Sequence, residues 1–193
     1  ARGVFDWHLL CTTERRTHAR GSMPNASHLA CTFCDIIRGA GEVSMCYEDT
    51  EVVAFLDVQP VNPGHVLVVP REHFESLEDI PYVLAMHLFD VAMELAPVVK
   101  QVAGAGGLNV VVNSGAAAGQ DIFHYHVHVI PRRADDGFDI PLPFGGSEMP
   151  DRTVLDMNAA RIIAAFRDPV NVRVRSERRS GSTDRRVTDE KQM

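Results

Sequence analysis

The chain has 193 residues, a size that fits one domain with appended tails, and its 45% hydrophobic and 23% charged residues are an ordinary globular balance with enough apolar material for a core. The net charge of −7 is unevenly spread: residues 1–30 carry +2, residues 167–193 carry +3, and residues 31–166 hold seven basic against nineteen acidic groups. A surface that negative repels nucleic acid but leaves room for a small nucleotide held locally. The apolar runs are interrupted well short of the roughly 18 residues that a membrane span needs, so no membrane partner is expected.

Residues 1–30 lack sustained periodicity and read as a flexible leader. Within it Gly21-Ser22-Met23 reads as a cloning scar ahead of a start at Met23, which would make part of the leader vector-derived. The four cysteines, Cys11, Cys31, Cys34 and Cys46, are too few for a disulfide scaffold, and the broken apolar run after Arg2 is no secretory leader. A reducing, cytoplasmic setting is therefore expected, in which Cys31 and Cys34 are half of a metal site, a redox pair, or simply buried thiols.

Residues 51–57 and 65–70 are β-rich runs separated by Gln59-Pro60-Val61-Asn62-Pro63-Gly64, whose prolines and glycine end one strand and start the next. Between Pro81 and Val102, the residues Leu84, Leu88, Val91, Leu95, Val98 and Val102 recur at helical steps, with Pro97 a kink point. Residues 108–113 and 122–130 read as strands joined by a small-residue loop. A last helix is expected from Arg152 to Phe166, capped by Asp151 or Thr153, and 167–193 reads as a disordered charged tail. Strands joined by short links, with helices set apart, predict an α+β fold on an antiparallel sheet. The working domain is then 31–166.

The chemistry concentrates in Phe123-His124-Tyr125-His126-Val127-His128-Val129. As a strand, this segment turns Phe123, Tyr125, Val127 and Val129 to the core and sets His124, His126 and His128 in a row about 6.5–7 Å apart on the other face. Such a row suits two chemistries: three imidazoles can bind a metal that activates water, or one neutral imidazole can attack phosphorus while a neighbour assists the leaving group. The preceding Ser114-Gly115-Ala116-Ala117-Ala118-Gly119-Gln120 has no bulky side chain, so its backbone N–H groups can approach an anion closely. A plain hairpin loop is the alternative; its place before the histidines favours phosphate.

The run His124-Tyr125-His126-Val127-His128-Val129-Ile130 resembles the motif of the histidine triad (HIT) superfamily of nucleotide hydrolases and transferases. The resemblance extends to Cys31-Thr32-Phe33-Cys34-Asp35-Ile36-Ile37, to Ala54-Phe55-Leu56-Asp57, to Pro63-Gly64-His65-Val66-Leu67-Val68-Val69-Pro70 and to Asn113 through Gly119-Gln120, in the family's order over about residues 31–135. It is strongest for the nucleotide-binding branch with bacterial-type zinc ligands. The resemblance implies a five-stranded antiparallel sheet with a long helix and a C-terminal helix. It also implies attack on the α-phosphorus of purine nucleotide derivatives such as phosphoramidates or adenylylated amines.

Carried over residue by residue, the resemblance makes His126 the nucleophile, places His128 at the phosphate or leaving group, and gives His65 a supporting role. Asn113, Gly119 and Gln120 would hold phosphate oxygens, Asp57 would accept the ribose hydroxyls, and Phe33, Ile36, Phe55 and Val58 would sandwich the base. Asp121 departs from the serine of many eukaryotic relatives, so any phosphate contact there must come from its backbone N–H. Cys31, Cys34, His73 and His124 would bind a structural zinc, with no organic cofactor, and the chain would form a homodimer. The rival readings are a dinucleoside polyphosphate hydrolase, a regulatory nucleotide-binding module with little turnover, and a zinc hydrolase that uses the histidine row as ligands.

Overall fold

The computed structural model describes residues 31–139 and 149–180. The expectations for the leader and for residues 181–193 lie outside the described residues. Five strands, β1 (Met45–Glu48), β2 (Val52–Leu56), β3 (Val66–Pro70), β4 (Gly107–Val111) and β5 (Val127–Arg132), form one sheet in the order β1-β2-β3-β5-β4. Every neighbouring pair is antiparallel. Helices α1 (Thr32–Ile37), α2 (Tyr82–Val102), α3 (Arg152–Arg167) and α4 (Pro169–Ser180) complete the α+β architecture.

The β-branched runs of β2 and β3 explain why they lie inside the sheet. Val52, Val53, Ala54, Val68 and Val69 are fully buried, so both faces of these strands are covered rather than one. On one face Val53, Phe55, Leu67 and Val69 pack with Cys31, Phe33 and Cys34 of the α1 segment, and Ile36, Ile37, Met45 and Ile122 close the edge of that cluster. The register Leu67 to His128 and Val111 to His128 places the third triad histidine between two neighbouring strands on this sheet.

The described residues fall into two compact units, residues 31–80 with 86–136, and residues 81–85 with 137–139 and 149–180. In the second unit, α3 starts at Asp151, whose carboxylate accepts from the Thr153 backbone N–H at 2.8 Å. That decides between the two expected caps. The expectation of disorder from residue 167 is corrected as far as Ser180: Asp168 accepts from Val170 N–H at 2.8 Å, Pro169 stands at the first helical position, and Arg173 pairs with Glu177 four residues on.

In α2 the buried residues are Leu88, Val91, Ala92 and Val99, whereas Val98 and Val102 of the expected stripe are exposed. By length and composition alone this helix is long and apolar enough to cross a membrane, although its sequence carries no uninterrupted apolar run of that length. It also carries Asp90, Glu94 and Lys100 and buries the four residues above, as a helix packed on a globular core does. Two short elements went unread in the sequence, α1 and β1; β1 is four residues long, and its register against β2 shifts between Met45 and Tyr47.

Candidate catalytic and metal-binding site

Strand β5 begins at Val127, not at residue 122. Ahead of it the chain turns, with His124 N–H donating to the Ile122 carbonyl at 2.8 Å and Tyr125 N–H donating to the Phe74 carbonyl at 2.6 Å. This turn breaks the expected row. Tyr125, Val127 and Val129 are fully buried as the alternation requires, but Phe123 is 48% exposed and the His124 ring swings away from its two partners toward α1.

His124 therefore belongs to a different group. Its Nε2 lies 2.9 Å from the Pro70 carbonyl, which can only accept, so Nε2 carries the proton and Nδ1 presents its lone pair. That Nδ1 sits 3.5 Å from Cys31 Sγ and 3.5 Å from Cys34 Sγ, while His73 Nδ1 is 3.4 Å from Cys34 Sγ. In a tetrahedral zinc site with Zn–S near 2.3 Å and Zn–N near 2.0–2.1 Å, a sulfur and a nitrogen stand about 3.6 Å apart. Three sulfur-to-nitrogen edges thus match those of a zinc tetrahedron, and all four donor atoms lie within 4.8 Å of one another. Burial and the neighbouring Cys31 push the Cys34 thiol up to about 12, so conversion to thiolate calls for a cation in the group.

The other two triad histidines stay together, with His126 and His128 ring centroids 4.7 Å apart. His126 Nδ1 lies 2.7 Å from the His124 carbonyl, an acceptor, so Nδ1 is protonated and Nε2 is left as a lone pair. His65 supplies the next link. The Val61 backbone N–H points at His65 Nδ1 (3.3 Å), which makes Nε2 the protonated nitrogen, and Nε2–H donates to His128 Nδ1 at 3.0 Å. His128 then carries its proton on Nε2. Along this chain of contacts one ring offers a nucleophilic nitrogen and its neighbour offers a proton. Burial lowers all three imidazoles below their ordinary range; for His128, burial and then the neighbouring His126 and His65 bring it to about 4, with Asp57 opposing.

The loop that carries His65 is fixed from below. Buried Asn62 donates to the Pro131 carbonyl at 2.9 Å and to Asp136 at 2.8 Å, and Asp136 is gripped by Arg132 through two contacts of 2.7 and 2.8 Å. Sequence reasoning passed over Asn62 because asparagine in a proline-rich loop reads as turn chemistry; no pattern announces a distant buried partner. Asp57 stands beside His65, its Oδ2 3.4 Å from Nδ1, while Oδ1 accepts from the Gln59 N–H.

Among the residues expected at the base, Phe33 and Phe55 are buried and meet edge to face at 5.4 Å, and Phe33 also meets the His126 ring at 5.2 Å. Ile36 is half-buried against the same cluster, whereas Val58 is 87% exposed. Loop residues 115–119 make a tight 3₁₀ turn between Gly115 (φ +88°) and Gly119 (φ +81°), both left-handed positions that suit glycine. Asn113 Nδ2 donates to the Gly119 carbonyl at 3.2 Å.

Gln120 departs from its expected part. It is 3% exposed, its amide hydrogens go to the Glu75 and Ile122 carbonyls, and its Oε1 accepts from Gly115 N–H. A buried amide must satisfy its own hydrogen bonds first, so Gln120 staples the loop instead of facing outward. Asp121 is exposed beside His73 on an open cavity of about 300 Å³ that neither His126 nor His128 lines.

Comparison with known proteins gives a consistent answer. The model described as HIT domain matches residues 40–135. An uncharacterised HIT-like protein of Methanocaldococcus jannaschii is 41% identical over 107 residues, covering 55% of this chain and 82% of that one. An adenylylsulfatase of Arabidopsis thaliana is 38% identical over 106 residues, 55% of this chain and 54% of the relative, so the chain spans about half of that protein. Among solved structures, a zinc-bound histidine triad family protein of Mycobacterium smegmatis superposes with a TM-score of 0.55 at 31% identity over 72% of this chain and 99% of that one.

Proposed function

Because the chain belongs to the histidine triad family, we propose that it is a nucleotide hydrolase or transferase that attacks the α-phosphorus of purine nucleotide derivatives through a transient nucleotidyl-histidine on His126. The observation that carries this reading is the tautomer of His126: the His124 carbonyl holds Nδ1–H and leaves Nε2 as a lone pair. In the first step that lone pair forms a P–N bond, the bond from phosphorus to the leaving group breaks, and His128 Nε2–H protonates the departing atom. In the second step water attacks phosphorus, gives its proton to His128, and the P–N bond to His126 breaks. His65 is a positioning residue that sets the His128 tautomer.

Asp57 would accept the ribose hydroxyls, with Phe33, Ile36, Phe55 and Val58 against the base. Asn113, Gly119 and the backbone near Asp121 would face the phosphate, on a loop held in shape by Gln120. Zinc on Cys31, Cys34, His73 and His124 would be structural, tying α1 to the sheet, and would take no part in the bond-making steps themselves. Reduced cysteine ligands fit a cytoplasmic compartment. A homodimer is part of the same reading, supported by exposed Met86 and Met93 on α2 and exposed Val110 on edge strand β4.

The substrates best suited to a protonated leaving atom are phosphoramidates and adenylylated amines. Adenylyl sulfate, suggested by the name of the Arabidopsis relative, and dinucleoside polyphosphates are the comparison set for a substrate panel. The deciding test is an acid quench with substrate labelled at the α-phosphorus: label should appear on the wild-type chain and vanish in His126→Ala, which should lose turnover while still binding AMP. Full turnover in His126→Ala would refute the assignment, and AMP binding without turnover of any substrate in the wild type would favour a regulatory module.

A further inference from the structure

We propose that Asp57, His65 and His128 form a second site for a divalent transition-metal cation, free of sulfur and set apart from the cluster at α1, whose filling switches the catalytic pocket off. One donor atom from each of the three residues lies within 4.8 Å of the other two. His65 Nε2 and His128 Nδ1 are 3.0 Å apart in the hydrogen bond they share. Two imidazoles on one tetrahedral zinc, each nitrogen at roughly 2.0–2.1 Å, stand about 3.3 Å from each other. A small opening of the pair, with the His65 proton passing from Nε2 to Nδ1, beside the Asp57 carboxylate at 3.4 Å and at the loss of the Val61 contact, lets a cation take the place of the shared proton.

The donors are held ready for this. His65 is 3% exposed, between the loop pinned by Asn62 and the first residue of β3, and His128 is fixed in register between Leu67 and Val111. The Asp57 carboxylate, with a donor oxygen within 4.8 Å of a ring nitrogen of each histidine, supplies the negative charge that a dication requires. Two imidazoles and one carboxylate are a donor set taken by Zn²⁺ and Co²⁺, and three protein ligands leave the fourth position to water.

The consequence for catalysis rests on the nucleotide reading above. A metal-bound His128 no longer holds a freely shared proton chain, and a metal-bound Asp57 no longer accepts ribose hydroxyls. Cation and nucleotide then compete for the same side chains, and a rise in free transition metal lowers turnover without touching the cysteine site.

The test is a metal count on the full chain after equilibrium dialysis against buffered free Zn²⁺, with and without saturating AMP, and the spectrum of protein refolded in Co²⁺. The expected result is two cations per chain, one giving a thiolate-to-cobalt charge-transfer band and one without it. Asp57→Asn and His65→Gln should each weaken the band-free cation by roughly tenfold or more and leave the band unchanged. AMP should displace the same cation. One cation per chain, a second whose affinity neither substitution alters, or a second retained beside bound AMP would overturn the proposal. Calorimetry showing that AMP does not bind the singly loaded protein would instead strike the nucleotide reading, and the count of metals in wild type and variants would still decide the site.

Discussion

His126 and His128 share a strand end yet carry different chemical duties, and the difference comes from what each Nδ1 touches. A carbonyl fixes the proton of His126 on the inner nitrogen, whereas the N–H of His65 fixes it on the outer nitrogen of His128. Burial keeps both rings neutral well into mildly acidic conditions, because a charged imidazolium in this pocket loses hydration and meets other rings. For catalysis the expected outcome is an acid limb of kcat/KM with its midpoint below 6.5, the ordinary imidazole value, since His126 must be unprotonated to attack. A midpoint at or above 6.5 would contradict the neutral pocket. For stability the sign follows from proton counts: between about 4 and 6.5 the unfolded chain binds a proton at residue 128 that the native chain refuses. The stability associated with neutral His128 is complete above pH 6.5 and is lost as pH falls toward 4. Thermal melts across this window should show His128→Gln with a shallower decline than the wild type; parallel declines would count against the assignment.

At the level of elements, α1 is only six residues long and lacks a side-chain cap at Cys31, so it has little helical stability of its own. Its place comes from Phe33 and Cys34 in the hydrophobic cluster and from the two thiols beside His73 and His124. This connects metal and nucleophile through one residue, because the His124 side chain serves the cysteine cluster and its carbonyl holds His126. Replacing Cys34 with Ser should therefore remove bound zinc, lower the melting temperature, and reduce kcat by roughly tenfold or more with less change in KM. Unchanged kcat in a zinc-free variant would show that the two clusters act independently. At the other end of the chain, Asp151→Ala removes the cap of α3 and should cost about 1 kcal/mol of helix stability by circular dichroism.

The same elements show what the sequence could convey. The continuous β-branched runs of β2 and β3, the helical run of α2 and the alternation at Tyr125, Val127 and Val129 are local signals and were legible as such. The turn at 122–124 was not, because it depends on Tyr125 bonding to Phe74, and a strand pattern continues through it unchanged. The role of Gln120 was hidden for the same reason: an amide reads as a ligand donor until its buried carbonyl partners are known. The identities of the site residues were readable from motif order; their tautomers depend on Val61 and on the Pro70 and His124 carbonyls, which carry no side-chain signature.

On the scale of the whole molecule, the exposed apolar side chains of α2 call for a partner surface. Met86 and Met93 stand seven residues apart on one helical face, with 51% and 71% of their surface in water. Isolated exposed apolar residues need no explanation, but a repeated pair of flexible, polarisable methionines on the most apolar helix suits a surface that packs against a copy of itself. Edge strand β4 adds Val110, 46% exposed, and leaves a row of backbone groups on its outer side that a symmetric contact can cover. A charge at the centre of such a contact must lose water without gaining an opposite charge, so Met93→Glu should separate the subunits while sparing the fold. Sedimentation should give the wild type twice the mass of the variant, with both retaining the same circular dichroism spectrum. A wild type that sediments as a monomer at micromolar concentration would show that α2 faces solvent, and the proposed assembly would fall with it.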